Sequence, residues 1–213
     1  MTLLTGDPRE QLALNVDARC FREVEAACVV EEARPDGRAH ITCTLRPGDS
    51  AIQWEIGDRF AFPGLNAVRS ADGVVLVTHA EGRRIAHIFE CKRKIDAGLL
   101  ARDVKPQLRG SLIRLLSLCA VGGLTVDGVV SYVAYRKTGF REDPIQAKLP
   151  IGSPGPSPVA LANLQWHGKR RFELDGIDPA HIALRKVPLG DDEAGTASIE
   201  LTPPNEQPTS PTS

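Results

Sequence analysis

The chain has 213 residues, 42% hydrophobic and 25% charged with a formal net charge of −1, which suits one soluble globular domain, or one domain plus an appendage. Aromatics at 5% argue against a surface of stacking rings, and no run approaches the ~18 apolar residues of a membrane span. Charge is unevenly placed: residues 1–60 carry seven Lys/Arg and eleven Asp/Glu, whereas residues 81–120 carry nine and four. The five cysteines lack CxxC spacing and sit in apolar contexts, so they read as buried free thiols. With no basic n-region or apolar h-region at Met1–Asp7, the expected compartment is reducing and cytoplasmic.

Residues 8–33 are expected to be helical, with Asp7 as cap, Pro8 in the first turn, and Phe21, Val24 and Cys28 at i, i+3, i+7. The run from Ala26 to Val30 is β-prone, so the last turns have strand as an alternative. Pro35-Asp36-Gly37 is a turn. His40 to Leu45 and Ala51 to Ile56 read as two strands in hairpin contact, and Phe60 to Arg69 as a loop or short edge.

Val74 to Thr78 is a near-continuous apolar run of the kind buried central strands show, and Arg84 to Lys92 is the next strand. Residues 97–120 switch to helical spacing, with Leu100, Val104, Leu108, Leu112, Leu115, Leu116 and Cys119 on one face. Pro106 must either kink that helix or open its main body after Lys105. Val126 to Tyr135 is a further buried strand. The organisation expected is a core over 1–149, a Pro/Gly/Ser linker over 150–158, a small add-on over 159–190 and a disordered tail over 191–213.

The chemistry concentrates at His87-Ile-Phe-Glu-Cys-Lys-Arg-Lys94. On a strand, Glu90 and Lys92 share one face about 6–7 Å apart, with Phe89 and Cys91 on the other. A hairpin symmetric about Glu81-Gly82 pairs positions summing to about 163, which carries Asp72 to this end of the sheet. The next segment supplies Arg93, Lys94, Arg102, Lys105, Gln107 and Arg109.

Asp72, then Glu90-Cys91-Lys92 eighteen residues on, in an αβββαβ-like order, resembles the PD-(D/E)xK nuclease superfamily over roughly residues 10–136. Ala71 stands where that pattern has proline. The resemblance implies an α/β, restriction-endonuclease-like core, a mixed central sheet flanked by helices, with a small C-terminal appendage. It also implies a Mg²⁺- or Mn²⁺-dependent endonuclease that cuts DNA ahead of RNA. Asp72 and Glu90 would hold the metal and act with Lys92 in catalysis. Arg93, Lys94, Lys105, Gln107 and Arg109 would contact nucleic acid, and a first-helix acid, one of Glu23, Glu25, Glu31 and Glu32, could join the site. Restriction, repair, phage defence and toxin roles all reuse such a core.

Blander readings stand beside these. Glu90 and Lys92 could be a solvated pair worth under ~1 kcal/mol. His79 and His87 read as surface or strand-end residues rather than ligands. Lys169-Arg170-Arg171 is as readily plain surface as a second nucleic-acid contact. The alternative functions are a catalytically inactive nucleic-acid-binding domain and a protein-interaction domain, with a homodimer or protein partner in scope.

Overall fold

The computed structural model describes residues 8–34, 38–56, 69–140, 156–190, 192 and 195–206. The Asp7 cap, the turn at 35–37, most of the 60–69 loop, most of the 150–158 linker and the last seven residues lie outside them.

The N-terminal segment departs from the single helix expected. Helix α1 (Pro8–Asn15) is followed by a 3-10 turn (Ala18–Cys20), strand β1 (Phe21–Val24) and strand β2 (Ala27–Glu32). The i, i+3, i+7 spacing of Phe21, Val24 and Cys28 also fits two strands broken by a bend at Glu25-Ala26, and tertiary pairing decides between them. Phe21 packs against one core cluster, while Val24 and Cys28 belong to the other.

The central sheet has the order β1-β4-β5-β6-β7-β8. It adds β4 (Ser50–Trp54), β5 (Gly73–Thr78), β6 (Arg84–Ile95), β7 (Gly128–Thr138) and β8 (Ile182–Pro188) to β1. Strands β1, β4, β5 and β6 are antiparallel to their neighbours, whereas β6, β7 and β8 run parallel. Parallel pairing of β6 and β7 requires a crossover, which the long helix between them supplies. A second sheet has the order β2-β3-β9, with β3 (Ala39–Thr44) and β9 (Thr196–Glu200). Thus β3 and β4 are not a hairpin: β3 pairs with β2 and β9, and β4 with β1 and β5.

The C-terminal third is also more integrated than expected. In place of an add-on, β8 extends the central sheet, and helix α4 (Pro158–Trp166) places Ala162 and Trp166 in the main core. In place of a disordered stretch from 191, β9 pairs with β3.

Three layers result. On β5, Val74 and Leu76 face a helix-side core with Leu100, Leu108, Leu112 and Leu115. Val75 and Val77 face the second sheet, with Val30, Ile41 and Cys43. This two-sided burial explains the unbroken apolar run of β5. Each buried Leu or Val contributes about 1.5–3 kcal/mol. All five cysteines are free and buried.

Candidate active site

The hairpin of β5 and β6 turns through Ala80–Gly82, with the His79 N–H on the Arg83 carbonyl at 2.9 Å and Gly82 at φ 86°. Three loop residues, rather than a two-residue centre, make paired positions sum to 162, as in Val74 with Ile88. That one-residue difference from the expected register matters, because the side-chain period is two. It sets Asp72, just before β5, opposite Glu90: Glu90 belongs with Ile88 to the helix-side face, while Asp72 lies at the end of the sheet beside Cys91 and β2.

Asp72 is fixed from three directions. Its own N–H donates to the Phe89 carbonyl at 2.9 Å, and its Oδ2 accepts the Cys91 N–H at 2.7 Å. On the preceding residues, the Ala71 N–H donates to the buried Ser111 Oγ at 2.8 Å, and Gln107 Nε2 donates to the Ser70 carbonyl at 3.4 Å. Gln107 and Ser111 are one turn apart on helix α3 (Lys105–Val121), so one face of that helix braces the aspartate from behind.

Gly73 then lets β2 come close. A Cβ there would lie 2.6 Å from Val30 Cγ1. The close approach brings Glu32, two residues on along β2, into hydrogen-bonding contact with Asp72. Among the four glutamates considered, Glu32 is therefore the one at the site, and it comes from a strand rather than the first helix.

Glu90 is fully buried, and Lys92 is the cation that meets it. Lys92 Nζ is in ion-pair contact with Glu90 Oε1 and lies 3.3 Å from Asp103 Oδ2. Neither carboxylate oxygen of Glu90 has a hydrogen bond of good geometry among the described residues. The solvated-pair reading of Glu90 and Lys92 therefore fails on burial.

Asp103 reaches Lys92 because the helix is wound differently there. After α2 (Ala97–Leu99), residues Leu100–Val104 form a π-helical turn in which the Lys105 N–H bonds the Leu100 carbonyl five residues back. Pro106 has no N–H, so it leaves the Arg102 carbonyl without its α-helical donor. Arg69 Nη1 supplies one at 3.4 Å, and the same nitrogen holds Asp103 Oδ1 at 2.6 Å. Arg69 and Asp103 escape a reading of the sequence, although Pro106 marks the break that places them.

Electrostatics follow from this packing. Burial raises the Asp72 pKa to about 7, helped by the Glu32 hydrogen bond and opposed by the Cys91 N–H and Lys92. Burial, with Asp72 beside it, pushes Glu90 well above the usual carboxylate range. For Lys92 burial alone would lower the value, but Glu90, Asp103 and Asp72 together raise it, so the ammonium stays charged.

The remaining site candidates divide. Arg93 and Lys94 are exposed, and Lys94 lies opposite Lys137 on β7, which gives this end of the sheet a basic rim. Lys105 and Arg109 turn away from it: Lys105 Nζ meets Gln165 Oε1 at 3.3 Å, and Arg109 Nε donates to the Asp175 carbonyl at 2.7 Å. Gln107 is a brace. His79 and His87 are buried, not surface residues: His79 Nδ1 is 2.8 Å from Asp49, and His87 Nδ1 is 3.0 Å from the Tyr132 hydroxyl. Lys169, Arg170 and Arg171 are exposed.

Among the described residues no three His, Cys, Asp or Glu side chains group closely enough to hold an ion by themselves. The oxygens of Asp72 and Glu90 still fit a hard divalent cation, which binds to one or two carboxylates and completes its shell with water and phosphate. Glu90 Oε2, buried with no hydrogen bond among the described residues, and Asp72, whose pKa burial raises to about 7, are groups that a bound cation could satisfy.

The chain thus folds as an α/β protein with a mixed central sheet flanked on one face by helices. Comparison with protein-family models, with curated proteins and with solved structures finds no match.

Proposed function

We propose that the protein is a metal-dependent nuclease with a restriction-endonuclease-like core, hydrolysing DNA phosphodiesters. The carrying observation is that Asp72, Glu90 and Lys92 meet at one end of β5 and β6 in a charge network that is mostly buried. Asp72 and Glu90 would hold Mg²⁺ or Mn²⁺, which when bound supplies Lewis-acid stabilisation of the phosphate oxygens and lowers the pKa of an attacking water. The chain's own part is positional and electrostatic. The Cys91 N–H and the α3 brace fix Asp72, and Asp103 holds the Lys92 ammonium beside Glu90. A lysine kept protonated in this way donates hydrogen bonds and stabilises negative charge, rather than removing a proton from water. The basic rim of Arg93, Lys94 and Lys137 suits backbone phosphates.

The test is cleavage of plasmid with Mg²⁺ by the wild type and by Asp72→Ala, Glu90→Ala and Lys92→Ala. Loss of cleavage in all three supports the assignment, and cleavage that all three retain refutes it. The absence of a three-acid group among the described residues favours a second reading, a non-catalytic nucleic-acid-binding domain. That protein would bind DNA in EDTA, weaken steeply with salt and never nick the plasmid.

A further inference from the structure

A groove of about 550 Å³ opens where α3 begins beside α4, and its lining includes Arg69, Lys105, Arg109, Asp175, Pro158 and Leu161. Its volume falls in the range of small-molecule sites. Two of its three cations lack counter-ions: among the described residues neither Lys105 nor Arg109 is ion-paired, and their polar contacts are the neutral oxygens of Gln165 and the Asp175 backbone. Lys105 is half-buried, with its ammonium 5.6 Å from the centre of the Phe172 ring. Holding a charge in such a place costs free energy that a bound anion would return. Burial accordingly lowers the Lys105 pKa, against the pull of Asp175 and Glu173.

Apolar walls beside paired cations match a ligand that is itself divided, an anionic group attached to a flat apolar one. Arg69 joins this groove to the site described above, since it also grips Asp103, which contacts Lys92. We infer that the groove is a nucleotide subsite in which Lys105 and Arg109 take a phosphate while Pro158 and Leu161 flank its base. The inference rests on the nuclease reading for the identity of the anion, and it places one nucleotide of the substrate strand outside the candidate metal site.

The test is equilibrium binding in EDTA, where no cleavage intervenes, using a five-nucleotide single-stranded DNA with a 3′ fluorophore and either a 5′-phosphate or a 5′-hydroxyl. Lys105→Met keeps the stem packed on Phe172, Arg109→Gln alters the other cation, and Arg83→Gln removes an exposed charge at the β5–β6 turn as a control. Each groove variant is expected to weaken binding about tenfold, the loss of one charge-assisted contact, while Arg83→Gln changes it little. If only the 5′-phosphorylated probe shows this dependence, the groove holds a strand end. If both probes show it equally, the groove holds an internal nucleotide. Affinity that is undetectable, or that is the same in Lys105→Met and Arg109→Gln as in the wild type, overturns the inference. Plasmid cleavage is read separately, so a nuclease without this subsite and a subsite without nuclease activity give different results.

Discussion

Replacing the Asp72 carboxylate, proposed above as a metal ligand, by its amide should stabilise this protein when no metal is present. Asp72 prefers its protonated form in the folded state, with a pKa of about 7 against an ordinary 3.8. The native state therefore binds more protons than the unfolded chain between those values, and stability falls as pH rises through them. The displacement corresponds to about 4 kcal/mol at 1.36 kcal/mol per pH unit. Because Asp72 is only partly buried, solvent screens part of this, and about 2 kcal/mol is the expectation. Asp72→Asn removes this cost and retains an oxygen for the Cys91 N–H. In EDTA at pH 8 the variant should be more stable by about 2 kcal/mol, some 4–8 °C in Tm for a chain of this length. Near pH 4 the two proteins should melt together. The assay is paired urea and thermal unfolding at pH 4, 6 and 8. An Asp72→Asn protein that is less stable at pH 8, or a difference that does not change with pH, would refute the reasoning. Adding Mg²⁺ should raise the Tm of the wild type at pH 8 and leave Asp72→Asn nearly unchanged.

Three further outcomes follow from the same packing. Lys92→Met strips the cation from buried Glu90 and should cost about 3 kcal/mol at pH 8. The loss should shrink at pH 5, where Glu90 can take a proton, and most should be recovered in the Glu90→Gln/Lys92→Met double variant, as urea titrations would show. Gly73→Ala puts a methyl group 2.6 Å from Val30 Cγ1 and should cost about 1–3 kcal/mol, and since it pushes β2 outward it should also lower the Asp72 pKa measured by NMR. Arg69→Ala should cost about 1 kcal/mol through the lost Arg102 carbonyl cap and Asp103 pair. Combined with Pro106→Ala, which returns an N–H to that carbonyl, it should cost less. Strictly additive losses would show that Pro106 and Arg69 are not coupled in this way.

What the sequence shows well is what local chemistry determines. The β5 run, the β6 strand and the leucine face of α3 each carry their own periodicity, and the Glu90-Cys91-Lys92 parity survives because alternation is intrinsic to a strand. The register of Asp72 differs by one residue from the symmetric hairpin, because it depends on whether two or three residues form the turn, which Glu81-Gly82 alone does not decide. Two strands replaced the second half of an expected helix because Phe21, Val24 and Cys28 satisfy both periods over so short a span. Strands β8 and β9 pair with partners far along the chain, β9 with β3 across some 150 residues, and no local signal encodes such a pairing. That Lys105, Gln107 and Arg109 all contact nucleic acid is an expectation helical spacing cannot test, because it does not say which neighbour covers each side chain. Gln165, Ser70 and Asp175 settle it.

The charge balance of the site argues for its proposed occupant. Four carboxylates lie close enough to influence one another: Glu32 on Asp72, Asp72 on Glu90, and Asp103 on Glu90. Against them stand the Lys92 ammonium and the Arg69 guanidinium. With every group ionised the cluster carries −2, a state that burial strongly disfavours. In the metal-free protein burial favours the protonated forms of Asp72 and Glu90, at a cost that grows with pH. A divalent cation would relieve it instead by cancelling the charge, and would displace those protons as it bound. Metal affinity should therefore rise with pH through about 7, as Asp72 gives up its proton. A structural ion-pair network with no cation to receive would have been more stable with Asn or Gln at these positions. The proposed cation is the occupant that this surplus of buried negative charge suits.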